Sequence, residues 1–320
     1  MPAVITKKRT TPSSRRTARA KWRLRRSAGL QVLESPGLSR LRWLIHGFST
    51  RPGGAGVLKA PASRRGGSVQ EKVLNLGFTD WDTRGRVLEN RTKFFGALGA
   101  GQMRVVALRQ IHSDIIHRVD SDHSRPDAEP RQGDALITRE PGVLLVVQTA
   151  DCIPILLADT KRRAIAAIHA GWRGTGRRIA AKALGRMQME FGTRPEDIIA
   201  AFGPGIGQCC YEVGPDVVKE FNAQFPQARE WFEGPFDALA SGEDPNPLPW
   251  LTMRPPGHPA PAARLHLDLI AANRAILAAA GVPAASISSS GFCTSCRTGL
   301  FFSFRRERTT GRMMAGIGIR

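Results

Sequence analysis

The sequence predicts an α/β (α+β) fold: a layered sandwich of mixed β-sheet with helices on its outer faces, forming a single large domain. Apolar runs of strand length are interspersed along the chain with segments of helical periodicity. Hydrophobic residues make up 42% of the 320 residues, which is enough for a sizeable core. No apolar run approaches the roughly 18 residues of a membrane span, so the sequence excludes a transmembrane protein.

Six apolar runs have the length and flanking turn residues of β-strands. Their continuous apolar character indicates strands that are covered on both faces. In chain order, the predicted strands are 104–108, 143–148, 153–158, 164–168, 198–202 and 315–319.

Helical spacing follows in four segments, and in the second of them Ile179, Ala183, Met187 and Phe191 recur on one face. The predicted helices are 86–98, 175–191, 215–225 and 267–280. Two irregular stretches, 52–70 and the proline-rich 235–261, are predicted to be surface loops or insertions.

Residues 1–43 are predicted to be a basic, disordered N-terminal extension, and residues 44–320 the folded domain. Residues 1–26 contain ten basic and no acidic residues, which is half of the formal net charge of +20. This tail is interpreted as an inert extension, with a transit peptide or a nucleic-acid-binding arm as alternatives. A nucleic-acid partner is therefore expected only through the tail, and no membrane partner is expected.

Five cysteines are too few and too unevenly spaced for a disulfide framework. They indicate a reducing, cytoplasmic compartment, in which thiols are kept for chemistry or for metal binding.

Three side chains stand where predicted strands end or run into loops: His112, Cys152 and His169. Ligands often bind at such strand ends in α/β proteins, so the three residues are expected to converge. One thiolate and two imidazoles form the protein part of a catalytic zinc site, which keeps one coordination position open. They match no short zinc motif, and a packing role for each of them remains an alternative.

The segments around these residues resemble the laccase-domain (polyphenol oxidase) family, whose members are now understood as purine nucleoside phosphorylases with adenosine deaminase activity. The resemblance covers about residues 46–320. It extends to the motifs at 46–51, 74–77, 203–213, 293–306 and 310–312.

The resemblance implies zinc as the cofactor, with His112, Cys152 and His169 as metal ligands and catalytic residues. It also implies a purine nucleoside (adenosine, inosine or methylthioadenosine) and phosphate as substrates.

Copper is the second cofactor to consider. The seven histidines include no His-x-His pair, which excludes a true four-copper oxidase. Copper can still occupy a site of one cysteine and two histidines, so phenol oxidation by a copper-loaded protein remains an alternative.

Five further residues are candidates for substrate contacts. Arg173, in a loop that opens a predicted helix, is the first candidate for phosphate. Arg51 and Asn75 are weaker candidates for phosphate or nucleoside. Gln110 and Asp151 flank the ligands and are expected to orient an imidazole or hold water, although a turn-forming role suits Asp151 equally well.

Two other interpretations of the cysteines stay open. Cys152 could act as a nucleophile with His169 as its base, as in a cysteine hydrolase. The Cys209-Cys210 pair and the C-x-x-C of Cys293 and Cys296 suggest a second zinc site or a redox pair, although structural packing is favoured. The sequence does not indicate an oligomeric state.

Overall fold

The computed structural model describes residues 21–59, 70–120, 130–237 and 264–320. Sixteen strands and six helices lie in these residues. The strands are β1 Arg23–Ser27, β2 Leu30–Glu34, β3 Leu44–Ser49, β4 Pro52–Lys59, β5 Gln70–Val73, β6 Arg104–Val106, β7 Ile116–Arg118, β8 Ala135–Thr138, β9 Val143–Thr149, β10 Ile153–Asp159, β11 Ile165–Ala170, β12 Ile198–Phe202, β13 Phe232–Glu233, β14 His266–Leu267, β15 Ile287–Ser289 and β16 Met313–Ile319. The helices are α1 Arg84–Leu98, α2 Trp172–Gly176, α3 Ile179–Phe191, α4 Pro215–Gln224, α5 Leu269–Ala279 and α6 Phe304–Glu307.

Two six-stranded sheets form the centre of the molecule. The first has the strand order β1-β2-β3-β16-β9-β6, and the second has the order β15-β12-β10-β11-β8-β7. Most neighbouring strands are antiparallel, but the first sheet contains one parallel pair, β6 with β9, and the second contains two, β12 with β15 and β7 with β8. The prediction of layered mixed sheets is confirmed.

The pleat of the strands explains why their sequences are apolar throughout. In β9, Val143, Leu145 and Val147 pack between the two sheets, whereas Leu144 and Val146 pack against α1. The second sheet divides its side chains in the same way between the first sheet and the helices α3, α4 and α5. Both faces of each central strand are therefore buried, and the layers run helix, sheet, sheet, helix.

Every predicted strand and helix overlaps an element of the structure, but the predicted helix 175–191 is wrong in one respect. Arg178 has a φ of +59° and interrupts the helix, which separates the short α2 from α3. Gly174 and Gly176, both in α2, have low helix propensity, which favours a break in the helix directly after them. Among the described residues, no helix is long and apolar enough to cross a bilayer.

The prediction of disorder up to residue 43 is wrong for residues 23–43. The short apolar run Leu30, Val32 and Leu33 is buried, and β2 pairs with both β1 and β3. Arg25 in β1 forms an ion pair with Glu34 in β2, which offsets part of the basic charge. Residues 1–20 lie outside the described residues.

The stretch 52–70 is also not simply a loop, because β4 and β5 pair as antiparallel strands on either side of residues 60–69. Residues 60–69 and most of the proline-rich stretch, from 238 onwards, lie outside the described residues.

The packing between the sheets can be tested at Leu156 in β10, which is fully buried there. We expect Leu156→Ala to lower the free energy of unfolding by about 2–5 kcal/mol, since it leaves a cavity in a tightly packed layer. Met189 on α3 is 80% exposed, so Met189→Ala should change the free energy of unfolding by less than about 0.5 kcal/mol. Urea denaturation measures the free energy of unfolding of both variants, and equal effects would argue against this packing.

Candidate metal centre

The structure brings His112, Cys152 and His169 together at one end of the second sheet. The antiparallel register of β10 and β11 pairs Pro154 with His169, so Cys152, directly before β10, lies beside His169. His112 reaches the same point from the loop between β6 and β7. The Cys152 Sγ and His112 Nε2 atoms are 3.8 Å apart, and the ring centroids of the two histidines are 5.0 Å apart. One donor atom from each residue lies within 4.8 Å of the others, which is close enough to share an ion.

Asp134, directly before β8, binds the side chain of His169 and the backbone of the loop that carries His112, and it was not singled out from the sequence. Its carboxylate accepts a hydrogen bond from His169 Nδ1 at 2.8 Å. It also accepts from the Ser113 hydroxyl and from the backbone N–H groups of Ile111, His112 and Ser113, at 2.6 to 3.3 Å. A carboxylate behind a histidine fixes its tautomer and leaves Nε2 free for a metal, which is the usual arrangement around metal-binding histidines.

Two residues at the centre have backbone conformations that are uncommon outside glycine. His112 has a φ of +59° and Asp151, next to Cys152, has a φ of +93°. Hydrogen bonds hold both conformations: Asp134 binds the N–H of His112, and Asp151 accepts from the Thr294 hydroxyl at 2.7 Å and from the Arg305 N–H at 2.6 Å. Strain of this kind concentrates at functional sites.

Gly171, which precedes α2, leaves room for the centre. A Cβ atom at this position would lie 3.0 Å from the Cys152 sulfur and 3.1 Å from a carbon of the His112 ring. Any larger residue would therefore crowd the space between the candidate ligands.

The charges of the three groups are strongly coupled. Burial raises the pKa of the Cys152 thiol, but attraction to His169 and hydrogen bonds with His112 and His169 outweigh burial and lower this pKa to about 6. Burial lowers the pKa of His169, whereas the Cys152 thiolate and Asp134 raise it to about 9. Burial also opposes ionisation of Asp134, but hydrogen bonds from His169 and Ser113 lower its pKa to about 2. In the absence of a metal ion, these opposite pKa shifts favour a thiolate at Cys152 beside an imidazolium at His169.

The thiolate makes a pH prediction possible for the metal-free protein. Because alkylation requires the thiolate, the rate of iodoacetamide modification at Cys152 should rise with pH with a midpoint near 6, below the roughly 8.5 of an ordinary thiol. Mass spectrometry of the Cys152 peptide measures this rate. Added zinc should suppress the modification, and a midpoint near 8.5 that zinc leaves unchanged would contradict the arrangement.

The centre opens into a cavity of about 900 Å³. Its wall combines arginines with aromatic rings: Arg109, Arg173, Arg305, Arg308, Arg312, Phe78, Trp172, Tyr211 and Phe304. Among the described residues, Asp151 is the one carboxylate in this lining, so the cavity is strongly cationic. Such a wall suits an anionic ligand that also carries a flat ring.

The candidate contact residues divide into two groups. Arg173, Gln110 and Asp151 line the cavity. The guanidinium of Arg173 stacks on the Trp172 ring at 4.4 Å. The Gln110 amide makes two 2.7 Å hydrogen bonds to the backbone of Gln148, and thus ties the loop before His112 to β9.

Arg51 and Asn75 do not belong to the cavity lining. The buried Arg51 forms ion pairs with Glu71 at 2.8 Å and Glu307 at 2.6 Å. Asn75 is fully buried and accepts a hydrogen bond from the backbone of Arg312 at 2.9 Å. Both residues hold distant segments of the chain together behind the wall. Arg305 and Arg308, which were not among the candidate contact residues, line the cavity instead.

The fold and the centre define a class of protein: a layered α+β domain with a candidate metal site of one cysteine and two histidines at the base of a cationic cavity. The sequence profile of the family described as multi-copper polyphenol oxidoreductase laccase matches residues 45–320. The chain belongs to this family, which confirms the resemblance seen in its sequence.

Related proteins carry names from nucleoside chemistry. A purine nucleoside phosphorylase from Deinococcus radiodurans is 38% identical over 91% of this chain and 94% of its own length. Adenosine deaminase RL5, from an unknown prokaryotic organism, is 37% identical over 72% of this chain and 81% of its own. The crystal structure of the Bacillus licheniformis protein YfiH superposes with a TM-score of 0.72 at 30% identity, covering 93% of this chain and 99% of that one.

Proposed function

We propose that the chain is a zinc-dependent purine nucleoside phosphorylase for adenosine, inosine and methylthioadenosine that also deaminates adenosine. The observation that carries the proposal is the meeting of His112, Cys152 and His169 at the base of the arginine-rich cavity. The names of the related proteins support the class of reaction.

The donor set suits zinc. Cysteine sulfur and histidine nitrogen are its common ligands, and three protein ligands are typical of catalytic rather than structural zinc sites. Asp134 orients His169 with Nε2 towards Cys152 and His112, as a zinc ligand requires. When bound, zinc would supply a Lewis acid that activates water or stabilises negative charge on an oxygen.

In phosphorolysis, the bond between the sugar C1′ and the purine nitrogen breaks, a C1′–oxygen bond to phosphate forms, and the purine takes up a proton. The cavity arginines would hold the phosphate, with Arg173 beside the centre as the first choice. The aromatic side chains would stack on the purine. Burial, reinforced by the nearby Cys152 thiolate, raises the pKa of Tyr211, so its hydroxyl keeps a proton for hydrogen bonding to the base.

In deamination, water adds to the purine carbon that bears the amine and ammonia leaves, so adenosine becomes inosine. The aromatic side chains that would stack on the purine in phosphorolysis would also hold it for this reaction.

An assay of the full-length protein with inosine and phosphate tests the function. We expect hypoxanthine and ribose 1-phosphate in equal amounts, and ammonia when adenosine is supplied. Removal of metal with a chelator should stop turnover, and zinc should restore it. Release of base without phosphate, or full turnover after metal removal, would contradict the proposal.

The phosphate role of Arg173 makes a separate prediction. A hydrogen bond to a charged group contributes about 1.5–3 kcal/mol, so Arg173→Ala should lower kcat/KM for phosphate by about 10- to 100-fold. Arg177, one residue beyond α2, is exposed and 3.9 Å from Asp114, outside the cavity lining. Arg177→Ala is the matched control and should leave phosphate kinetics unchanged. Equal effects of the two variants would exclude the assignment.

A cysteine hydrolase remains the second candidate, because the lowered pKa of Cys152 is also what a nucleophilic thiol requires. Mass spectrometry after incubation with activated esters separates the two. A covalent acyl group on Cys152 that forms without metal favours the hydrolase, whereas zinc-dependent phosphorolysis without an adduct favours the phosphorylase.

A further inference from the structure

A second group of sulfur atoms lies apart from the His112, Cys152 and His169 centre. Cys209 and Cys210 stand in a short 3-10 helix after β12, and Cys293 and Cys296 in the loop after β15. The sulfur of Cys296 is 3.6 Å from that of Cys209 and 3.4 Å from that of Cys210. The four sulfur atoms all lie within 4.8 Å of one another, and none of the four thiols forms a disulfide.

These distances suit a shared ion. Zinc bound to sulfur at about 2.3 Å in a tetrahedron places neighbouring sulfurs about 3.8 Å apart. A disulfide would require about 2.05 Å. Simple packing does not explain why four polarisable sulfurs from two distant segments meet at one point, two of them exposed to solvent.

The backbone around the cysteines supports the same interpretation. The N–H of Gly207 donates to the Cys293 sulfur at 3.2 Å. Hydrogen bonds of this kind stabilise a thiolate. A Cβ atom at Gly207 would lie 3.3 Å from the Cys209 sulfur and 3.2 Å from Cβ of Cys293, so glycine gives the two segments room to approach.

We propose that Cys209, Cys210, Cys293 and Cys296 form a tetrathiolate site for a zinc ion. Four protein ligands leave no open position, which makes the site structural rather than catalytic. Each sulfur binds as a thiolate, so binding releases the thiol protons to solvent and no redox partner is involved. The exposed Cys209 and Cys296 give the ion access.

A zinc ion at this site would connect two segments of the chain that form or support the cavity wall. Tyr211 follows Cys210 directly and lines the cavity. Thr294, between Cys293 and Cys296, donates to Asp151 at 2.7 Å, next to Cys152. The ion would therefore hold the 208–211 and 293–296 segments in register behind the catalytic centre, independently of which reaction that centre performs.

The test is the zinc content of the full-length protein, purified under reducing conditions without added chelator. The Cys152→Ala variant removes the first centre and should still bind about one zinc ion per chain. X-ray absorption at the zinc edge of this variant should show four sulfur neighbours at about 2.3 Å. Adding Cys209→Ser or Cys296→Ser to Cys152→Ala should remove this ion, and Met189→Ala added instead should not.

Three results would overturn the proposal: no zinc in Cys152→Ala, nitrogen or oxygen neighbours around its zinc, or disulfides among the four cysteines. If the serine variants do not fold, thiol labelling of the wild-type chain replaces them. Zinc should then protect the Cys209, Cys210, Cys293 and Cys296 peptides, and a chelator should expose them; equal labelling in both states would count against the site. Nucleoside turnover enters none of these measurements, so the proposed function can fail while this site stands.

Discussion

Replacing Cys152 with alanine is expected to abolish zinc binding at the centre and to lower the rate of inosine phosphorolysis by at least about 1,000-fold. The thiolate is the one anionic ligand of the three, and without it two neutral imidazoles would have to hold the ion alone. Metal ions contribute several kcal/mol to transition-state stabilisation, and each 1.36 kcal/mol corresponds to a tenfold change in rate.

Initial rates at saturating inosine and phosphate, measured together with metal content, test this expectation. Met189→Ala is a suitable control, because this side chain on α3 is 80% exposed and lies outside the cavity lining. The control should retain turnover of the wild-type order and the zinc of the His112, Cys152 and His169 centre. Wild-type turnover in Cys152→Ala would show that the reaction does not depend on this centre.

Asp134→Asn is expected to have the second largest effect, because this one carboxylate binds both His169 and the loop that carries His112. An amide has a single acceptor oxygen, and its NH2 group would face the N–H donors of the 111–113 loop. Each buried donor that loses its partner costs about 1–3 kcal/mol. Loss of the carboxylate behind a metal-binding histidine typically lowers metal affinity or activity by about 10- to 100-fold.

The measurements are the zinc dissociation constant, from competition with a chelator, and the free energy of unfolding in urea. Asp114→Asn is the matched control: Asp114 forms ion pairs with the exposed Lys182 and Arg177, away from the cavity lining. Such pairs contribute about 1 kcal/mol or less, so the control should leave zinc affinity unchanged. If Asp134→Asn behaved like the control, the orienting role of Asp134 would be wrong.

The parts of the fold that sequence could predict are those in which burial dictates residue type. β9, β10 and β11 are apolar on both faces because each is covered by a sheet on one side and by helices on the other. Their ends carry the cysteine and the second histidine, so the meeting of these two side chains followed from strand order alone.

The role of Asp134 could not be predicted because it arises from pairing between distant segments. Asp134 acts on His169, 35 residues away, and on the loop at His112, 22 residues away. No short motif connects these positions. A Gly-Asp pair at the start of a strand was the one available signal, and turn-forming aspartates give the same signal.

Arg51 is a different case. This basic residue was a weaker candidate for a substrate contact because it lies in a motif that resembles the family, but in the structure it forms ion pairs with Glu71 and Glu307 inside the protein. Charge pairing across 256 residues cannot be seen in the sequence. The buried strand β2 was missed for a related reason, since basic neighbours concealed its short apolar run.

The most direct test of the centre is anomalous diffraction at the zinc edge from crystals of the zinc-loaded protein. We expect a peak at bonding distance, about 2.0–2.3 Å, from His112 Nε2, Cys152 Sγ and His169 Nε2. Zinc that binds elsewhere while these three atoms share no peak would contradict the assignment of the centre and the function built on it.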